Sequence, residues 1–232
     1  MFLYLLFMLP PLALMLYAQW RVSSSFKKYS KVGNLAGLSG LQAARRLLDE
    51  HGLGNVQVEL TKGKLSDHYD PRAKVLRLSP EVANTASVAS IGIVAHEVGH
   101  AVQDREFYAP LKVRNSLFPV ASFGSQFGFI LVLVGLFLYG FSLSFGLPVA
   151  WAGVALFAVA VIFSLITLPV EFNASSRAMA MLSGGSLVSV RESAGVKAVL
   201  GAAALTYVAA LLQAVGQLLY FVLMLVGFGR RD

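Results

Sequence analysis

The chain has 232 residues, 56% of them hydrophobic and only 13% charged, a balance that argues against an ordinary soluble domain and fits an integral membrane protein. Cysteine is absent, which removes disulfides and thiolate metal sites and leaves His, Asp and Glu to hold any metal. The formal net charge is +7, but 14 of the 19 basic residues fall within residues 21–116, between the first two apolar runs. A membrane-topology signal explains that distribution more economically than a nucleic-acid surface, so no nucleic-acid partner is expected.

Residues 2–20 carry no charge and end with Tyr17 and Trp20, a length and flank suited to one membrane span kinked at Pro10-Pro11. No basic residue precedes this run and no small-x-small site follows it, so a retained span is expected rather than a cleaved signal peptide. Arg21, Lys27, Lys28 and Lys31 follow at once, and the positive-inside rule places the next segment in the cytoplasm. Residues 21–116 form the one sizeable hydrophilic block. Within it Ser39–His51 reads as an amphipathic helix stopped by Gly52 and Gly54. Val56–Leu60 and Lys74–Leu78 alternate like half-buried strands around a turn-rich segment, which predicts a small antiparallel hairpin. An open edge of that hairpin would suit main-chain pairing with an extended peptide.

Ser79-Pro80-Glu81 has the makings of a helix start. An apolar, helix-compatible run from Thr85 to Gln103 then contains His96-Glu97-Val98-Gly99-His100. Residues four apart on a helix share a face, so His96 and His100 can point at one ion, with Glu97 turned aside towards a water at the metal. This is the H-E-x-x-H arrangement of zinc peptidases, in which the glutamate acts as general base. Two of the four histidines of the chain lie in this motif. The bland alternative is a pair of helix histidines satisfied in a packed interface; the zinc reading is preferred.

Residues 117–169 predict a transmembrane hairpin: a second span, a short uncharged connection from Phe141 to Pro148, and a third span, Val149–Leu168. The short link forces the two helices antiparallel and suits the outer face. Residues 170–197 form a second cytosolic segment, starting a new helix after Pro169 and closing at Gly184-Gly185. Ser189-Val190-Arg191-Glu192 matches a capping box. Residues 198–228 read as the fourth span, with Gln213 and Gln217 on one face as bonds between helices. Arg230-Arg231 would end outside, against the positive-inside rule.

A zinc site needs a third protein ligand. The three-histidine metzincin pattern would need His at position 106, which is Glu106 here. Asp104 and Glu106 follow the motif too closely on the same helix to turn back. Among the remaining cytosolic acids Glu171 is best placed, because the membrane hairpin returns it beside the motif helix. Two His and one Glu make a thermolysin-type ligand set. Glu192 is committed to its capping box, and Glu192 or His68 would be the next candidates. His68 and Tyr69 are weaker candidates for oxyanion donors, against a turn-capping role. Arg177 steadies Glu171 or the transition state, or else forms a structural salt bridge or a lipid contact. His51 reads as a cation at a helix C-terminus.

Three segments, Ser66-Asp67-His68-Tyr69-Asp70-Pro71, Ala95-His96-Glu97-Val98-Gly99-His100-Ala101 and Leu168-Pro169-Val170-Glu171-Phe172, resemble the YugP-type neutral zinc metallopeptidases of bacterial membranes. That group is similar in layout to the HtpX-type and CAAX-prenyl-type membrane proteases. The resemblance covers essentially the whole chain. It implies one zinc ion held by His96, His100 and Glu171, with Glu97 as catalytic base. The family commonly has Asp where this chain has Asn173, which bears on a carboxylate behind the ligands rather than on the ligands.

The resulting expectation is a mainly α membrane protein with about four transmembrane helices and a zincin-like α+β cytosolic domain carrying a small β-hairpin. Its expected activity is hydrolysis of peptide or membrane-protein substrates at a cytosol-facing site in a bacterial inner membrane. The alternative is a non-catalytic zinc-containing scaffold or chaperone-like subunit, which would more usually fill all four zinc positions with protein ligands. A transporter is the third possibility, weakened by uncharged spans.

Overall fold

The computed structural model describes residues 2–185 and 187–228 and is mainly helical. In chain order it runs α1 (Phe2–Tyr29), α2 (Gly40–Glu50), β1 (Gln57–Leu60), β2 (His68–Asp70), β3 (Val75–Leu78) and α3 (Pro80–Asn84). Then come α4 (Val88–Arg105), α5 (Ala109–Gly140), α6 (Gly146–Gly184) and α7 (Val190–Phe228). The helices α1, α5, α6 and α7 each contain a stretch long and apolar enough to cross a membrane. Arg230 and Arg231 lie outside the described residues.

The chain divides into two compact units, and several long helices contribute to both. One comprises Met1–Tyr17, Lys112–Leu168 and Thr206–Asp232. Its core is built on Val132, Ala150, Val154, Phe157, Phe221 and Leu225. Here α5 and α6 meet along a small-residue seam. A Cβ on Gly128 would stand 2.9 Å from the Gly153 carbonyl oxygen, and one on Gly135 only 2.3 Å from the Ala150 nitrogen. Without a hydrophobic effect between helices in lipid, such close backbone approach is what holds spans together. Large apolar side chains such as Phe123, Phe127 and Leu133 point outward, as lipid-facing positions should.

The other unit comprises Ala18–Leu111 and Pro169–Leu205. Its core joins Leu47 and Leu48 of α2, Leu76 and Leu78 of β3, and Ile91, Val94 and Val98 of α4 with Leu182 and Val196. Ser39 caps α2 through a complete capping box with Gln42. Ser87 caps α4 by accepting from the Ser90 N–H. In α3, Pro80 occupies the first turn, as Ser79-Pro80 predicts.

Three expectations need correction. The strands Gln57–Leu60 and Val75–Leu78 are not an antiparallel hairpin; they pair in parallel, in register Gln57 with Val75. The antiparallel partner of β3 is β2, cut from the segment read as turn, so the sheet order is β1-β3-β2. With only three residues, β2 is too short for alternation to reveal it. Second, Pro169 does not start a new helix: α6 runs unbroken through it. Apolar helices tolerate an internal proline when neighbours satisfy the freed carbonyl. Third, the first helix does not stop with the run 2–20 read as one span: α1 continues to Tyr29, through Arg21, Lys27 and Lys28. The capping box at Ser189 is formed: its N–H donates to the Glu192 carboxylate at 2.6 Å, and Glu192 N–H donates to its hydroxyl at 3.3 Å.

Candidate metal centre

Helix α4 places His96 and His100 one turn apart with their rings edge to face, centroids 4.8 Å apart. Glu171 reaches them from α6, its Oε2 standing 3.3 Å from His96 Nε2 and 3.6 Å from His100 Nε2. Each of the three residues offers a ligand atom within 4.8 Å of the others. A tetrahedral zinc with ligand bonds of about 2.0–2.2 Å sets its ligand atoms about 3.3–3.6 Å apart. The two imidazole–carboxylate separations fit that edge, and the donor chemistry, two imidazoles and one carboxylate, is that of zinc.

This proximity depends on Gly99. A Cβ there would lie 2.8 Å from the Ala174 carbonyl oxygen, so the missing side chain is what lets the α4 backbone come against α6. The variable positions of the motif are therefore not neutral in this fold.

Glu97 points elsewhere. It is 9% exposed, and its Oε2 accepts a 3.0 Å hydrogen bond from the backbone N–H of Tyr69 on β2. Burial pushes its carboxyl up to about 7; the His96 ring opposes the rise and the Glu171 charge adds to it. The Tyr69 hydroxyl donates at 2.7 Å to Asp104 Oδ2, which also pairs with Lys74. Burial first, and then this bond to a carboxylate, hold the phenol well above its ordinary value.

Each imidazole is also gripped from behind. His100 Nδ1 lies 3.0 Å from Gln103 Oε1, and His96 Nδ1 lies 3.2 Å from Ser175 Oγ. Gln103 is completely buried. Its Nε2 donates to the Val170 carbonyl and to Asn173 Oδ1, each at 2.9 Å.

The remaining candidates sit differently. His68 is exposed, its Nδ1 turned 2.8 Å to the Ser66 carbonyl, a local turn contact. Arg177 Nε donates to Asn173 Oδ1 at 2.8 Å and its Nη2 pairs with Glu106 at 2.8 Å. His51 Nδ1 lies 2.9 Å from the Leu47 carbonyl at the end of α2. Sequence reasoning passed over Gln103, Ser175 and Gly99. Gln103 had a signal, since it lies three residues after His100 and so on the same helical face.

Taken over residues 4–226, the chain matches the family described as "Putative neutral zinc metallopeptidase", and it belongs to that family. Among curated proteins it is 47% identical over 212 residues to "Putative membrane protease YugP" of Bacillus subtilis (strain 168). That alignment covers 91% of this chain and 92% of the relative. No solved structure matches it.

Proposed function

We propose that the chain is a membrane-embedded zinc endopeptidase, hydrolysing peptide bonds at a cytosol-facing site close to the membrane surface. In this reading residues 21–116 and 170–197 form a zincin-like domain that holds one zinc. Residues 1–20, 117–169 and 198–228 anchor that domain in the bilayer. Its substrates are peptides or membrane proteins, in keeping with turnover of damaged membrane proteins. The carrying observation is the convergence of His96, His100 and Glu171 beside a buried glutamate that is not part of the cluster.

A zinc ion held by those three residues supplies Lewis acidity to a peptide carbonyl and to water. Glu97 handles the proton. The Tyr69 N–H fixes its Oε2, leaving Oε1 to accept a proton from water and return it to the leaving amine. An extended substrate has an edge to join. β3 is central, so β1 and β2 are the edges, and β2 is the one whose Tyr69 reaches Glu97.

The test compares wild type with Glu97→Gln, purified intact in lipid. The variant is expected to keep stoichiometric zinc and to lose cleavage of unfolded and membrane-protein substrates by more than about 100-fold. Cleavage at the wild-type rate would reject the assignment. Protease accessibility of residues 21–116 from the outer face of intact cells would reject the cytosolic orientation.

A further inference from the structure

We infer that Arg177, Asn173 and Gln103 form a one-way hydrogen-bond relay that sets the ring tautomer of His100 and so presents its bare Nε2 to the metal. The inference rests on the zinc-site reading above and adds positioning residues to it. The direction of the relay follows from chemistry at its far end. Arginine Nε carries one hydrogen and can only donate, so the Asn173 atom 2.8 Å away must be its oxygen. That oxygen, already an acceptor, requires the Gln103 atom 2.9 Å from it to be the amide nitrogen. The second hydrogen of that nitrogen goes to the Val170 carbonyl, which also can only accept. Gln103 therefore turns its oxygen to His100, and His100 Nδ1, 3.0 Å away, must carry a hydrogen to bond it. A neutral imidazole with its hydrogen on Nδ1 leaves the Nε2 lone pair free. That Nε2 is the atom facing Glu171.

The same amide holds the third ligand. Val170 and Asn173 bracket Glu171 on α6, and Gln103 bonds both from α4. One buried side chain thus fixes the orientation of one ligand and the height of another. Glu106 anchors the start of the relay by pairing with Arg177. At His96 the partner of Nδ1 is the Ser175 hydroxyl, which donates or accepts equally well and so sets no direction from that side. The relay also accounts for Asn at position 173: all it must supply there is an acceptor, which Asp supplies as well.

Ring-nitrogen NMR on metal-free protein labelled with 15N-histidine tests this without any substitution, and a chain with four histidines keeps the spectrum tractable. At alkaline pH, His100 is expected as the Nδ1–H form. In Gln103→Leu the ring should lose that preference, and zinc affinity measured against a chromophoric chelator should fall about 10- to 100-fold. An Nε2–H ring at His100 in the wild type, or unchanged zinc affinity in Gln103→Leu, overturns the relay. A wild type that binds no zinc would sink the metal reading beneath it, while the ring-nitrogen signal still decides the relay itself.

Discussion

In the unit made of residues 1–17, 112–168 and 206–232, hydroxyl groups bond carbonyls of their own helix. Ser125 donates to Ser122, Ser164 to Ala160 and Thr167 to Phe163. Besides the 3.3 Å contact there of Gln213 Nε2 with Met8 Sδ, it is in the unit made of residues 18–111 and 169–205 that polar side chains reach across elements. Gln103 joins α4 to α6, the Tyr69 N–H joins β2 to Glu97, and Asp67 accepts from both the N–H and the hydroxyl of Ser79. The first pattern suits a lipid solvent, where each helix must satisfy its own polar groups and association rests on close packing. The second suits a site whose groups must be held in one geometry. The contrast separates substitutions that should disturb metal binding from those that should disturb only the packing of spans.

The largest expected effect is at Glu171. Removing a ligand should exceed the 10- to 100-fold loss typical of partners behind the ligands. Glu171→Ala is therefore expected to lower zinc affinity more than about 100-fold and to abolish activity. Glu192→Ala loses only half a capping box, about 1 kcal/mol of stability, and should keep zinc. Metal content after chelator competition checks both. Tight stoichiometric zinc in Glu171→Ala would remove Glu171 from the ligand set.

Glycine substitution sharpens the comparison, because each unit has a glycine pressed against backbone that cannot give way. Gly99→Ala puts a methyl 2.8 Å from the Ala174 carbonyl oxygen, and Gly135→Ala puts one 2.3 Å from the Ala150 nitrogen. Each is expected to reduce stability by about 1–3 kcal/mol. Only Gly99→Ala should also weaken zinc, since it pushes the histidine helix away from the Glu171 helix. Equal zinc affinity in the two variants would show that the site absorbs the displacement.

Tyr69→Phe should do less. It removes one hydrogen bond to a carboxylate, a change of about 1–2 kcal/mol, while Lys74 still pairs with Asp104. The backbone N–H that holds Glu97 remains. The expected result is unchanged zinc content with a modest fall in kcat, read from steady-state kinetics. A loss as large as that of Glu97→Gln would give the hydroxyl a direct part in the chemistry.

The two units were unequally legible in the sequence. Spans announce themselves through uncharged length, so all four apolar runs correspond to long helices. Their ends did not, because a helix in lipid runs past Pro169 and past basic residues such as Lys27 and Lys28 with no local signal. At the site, H-E-x-x-H is a local pattern and could be read directly. Glu171 required an argument from topology and elimination, and the structure brings it against both imidazoles. Sheet order was beyond local reading: whether Val75–Leu78 pairs with Gln57–Leu60 in parallel is decided by long-range connection rather than by alternation. The grip of Gln103 was half visible, since its place on the helix could be counted but its partners on α6 could not.

The smallest expected effect concerns the sheet that carries Tyr69. Arg77 on central β3 donates to Asp70 on β2 at 2.8 Å and to Glu59 on β1 at 3.2 Å, so one guanidinium ties all three strands. The Arg77 bond, together with backbone N–H groups of Ala73 and Arg72, lowers the Asp70 carboxyl to about 2. A folded-state value below the unfolded one means the carboxylate stabilises the fold above the unfolded pKa of about 4. That contribution shrinks as pH falls from about 4 through about 2. Because the pair is open to solvent, screening keeps that contribution small. Asp70→Asn is thus expected to lower thermal stability slightly at pH 7, less in high salt, with the gap to wild type closing as pH drops below 4. Zinc affinity should not move, since Asp70 lies outside the ligand cluster. A gap that persists unchanged at low pH would mean that Asp70 acts through the two N–H groups of its turn rather than through its charge.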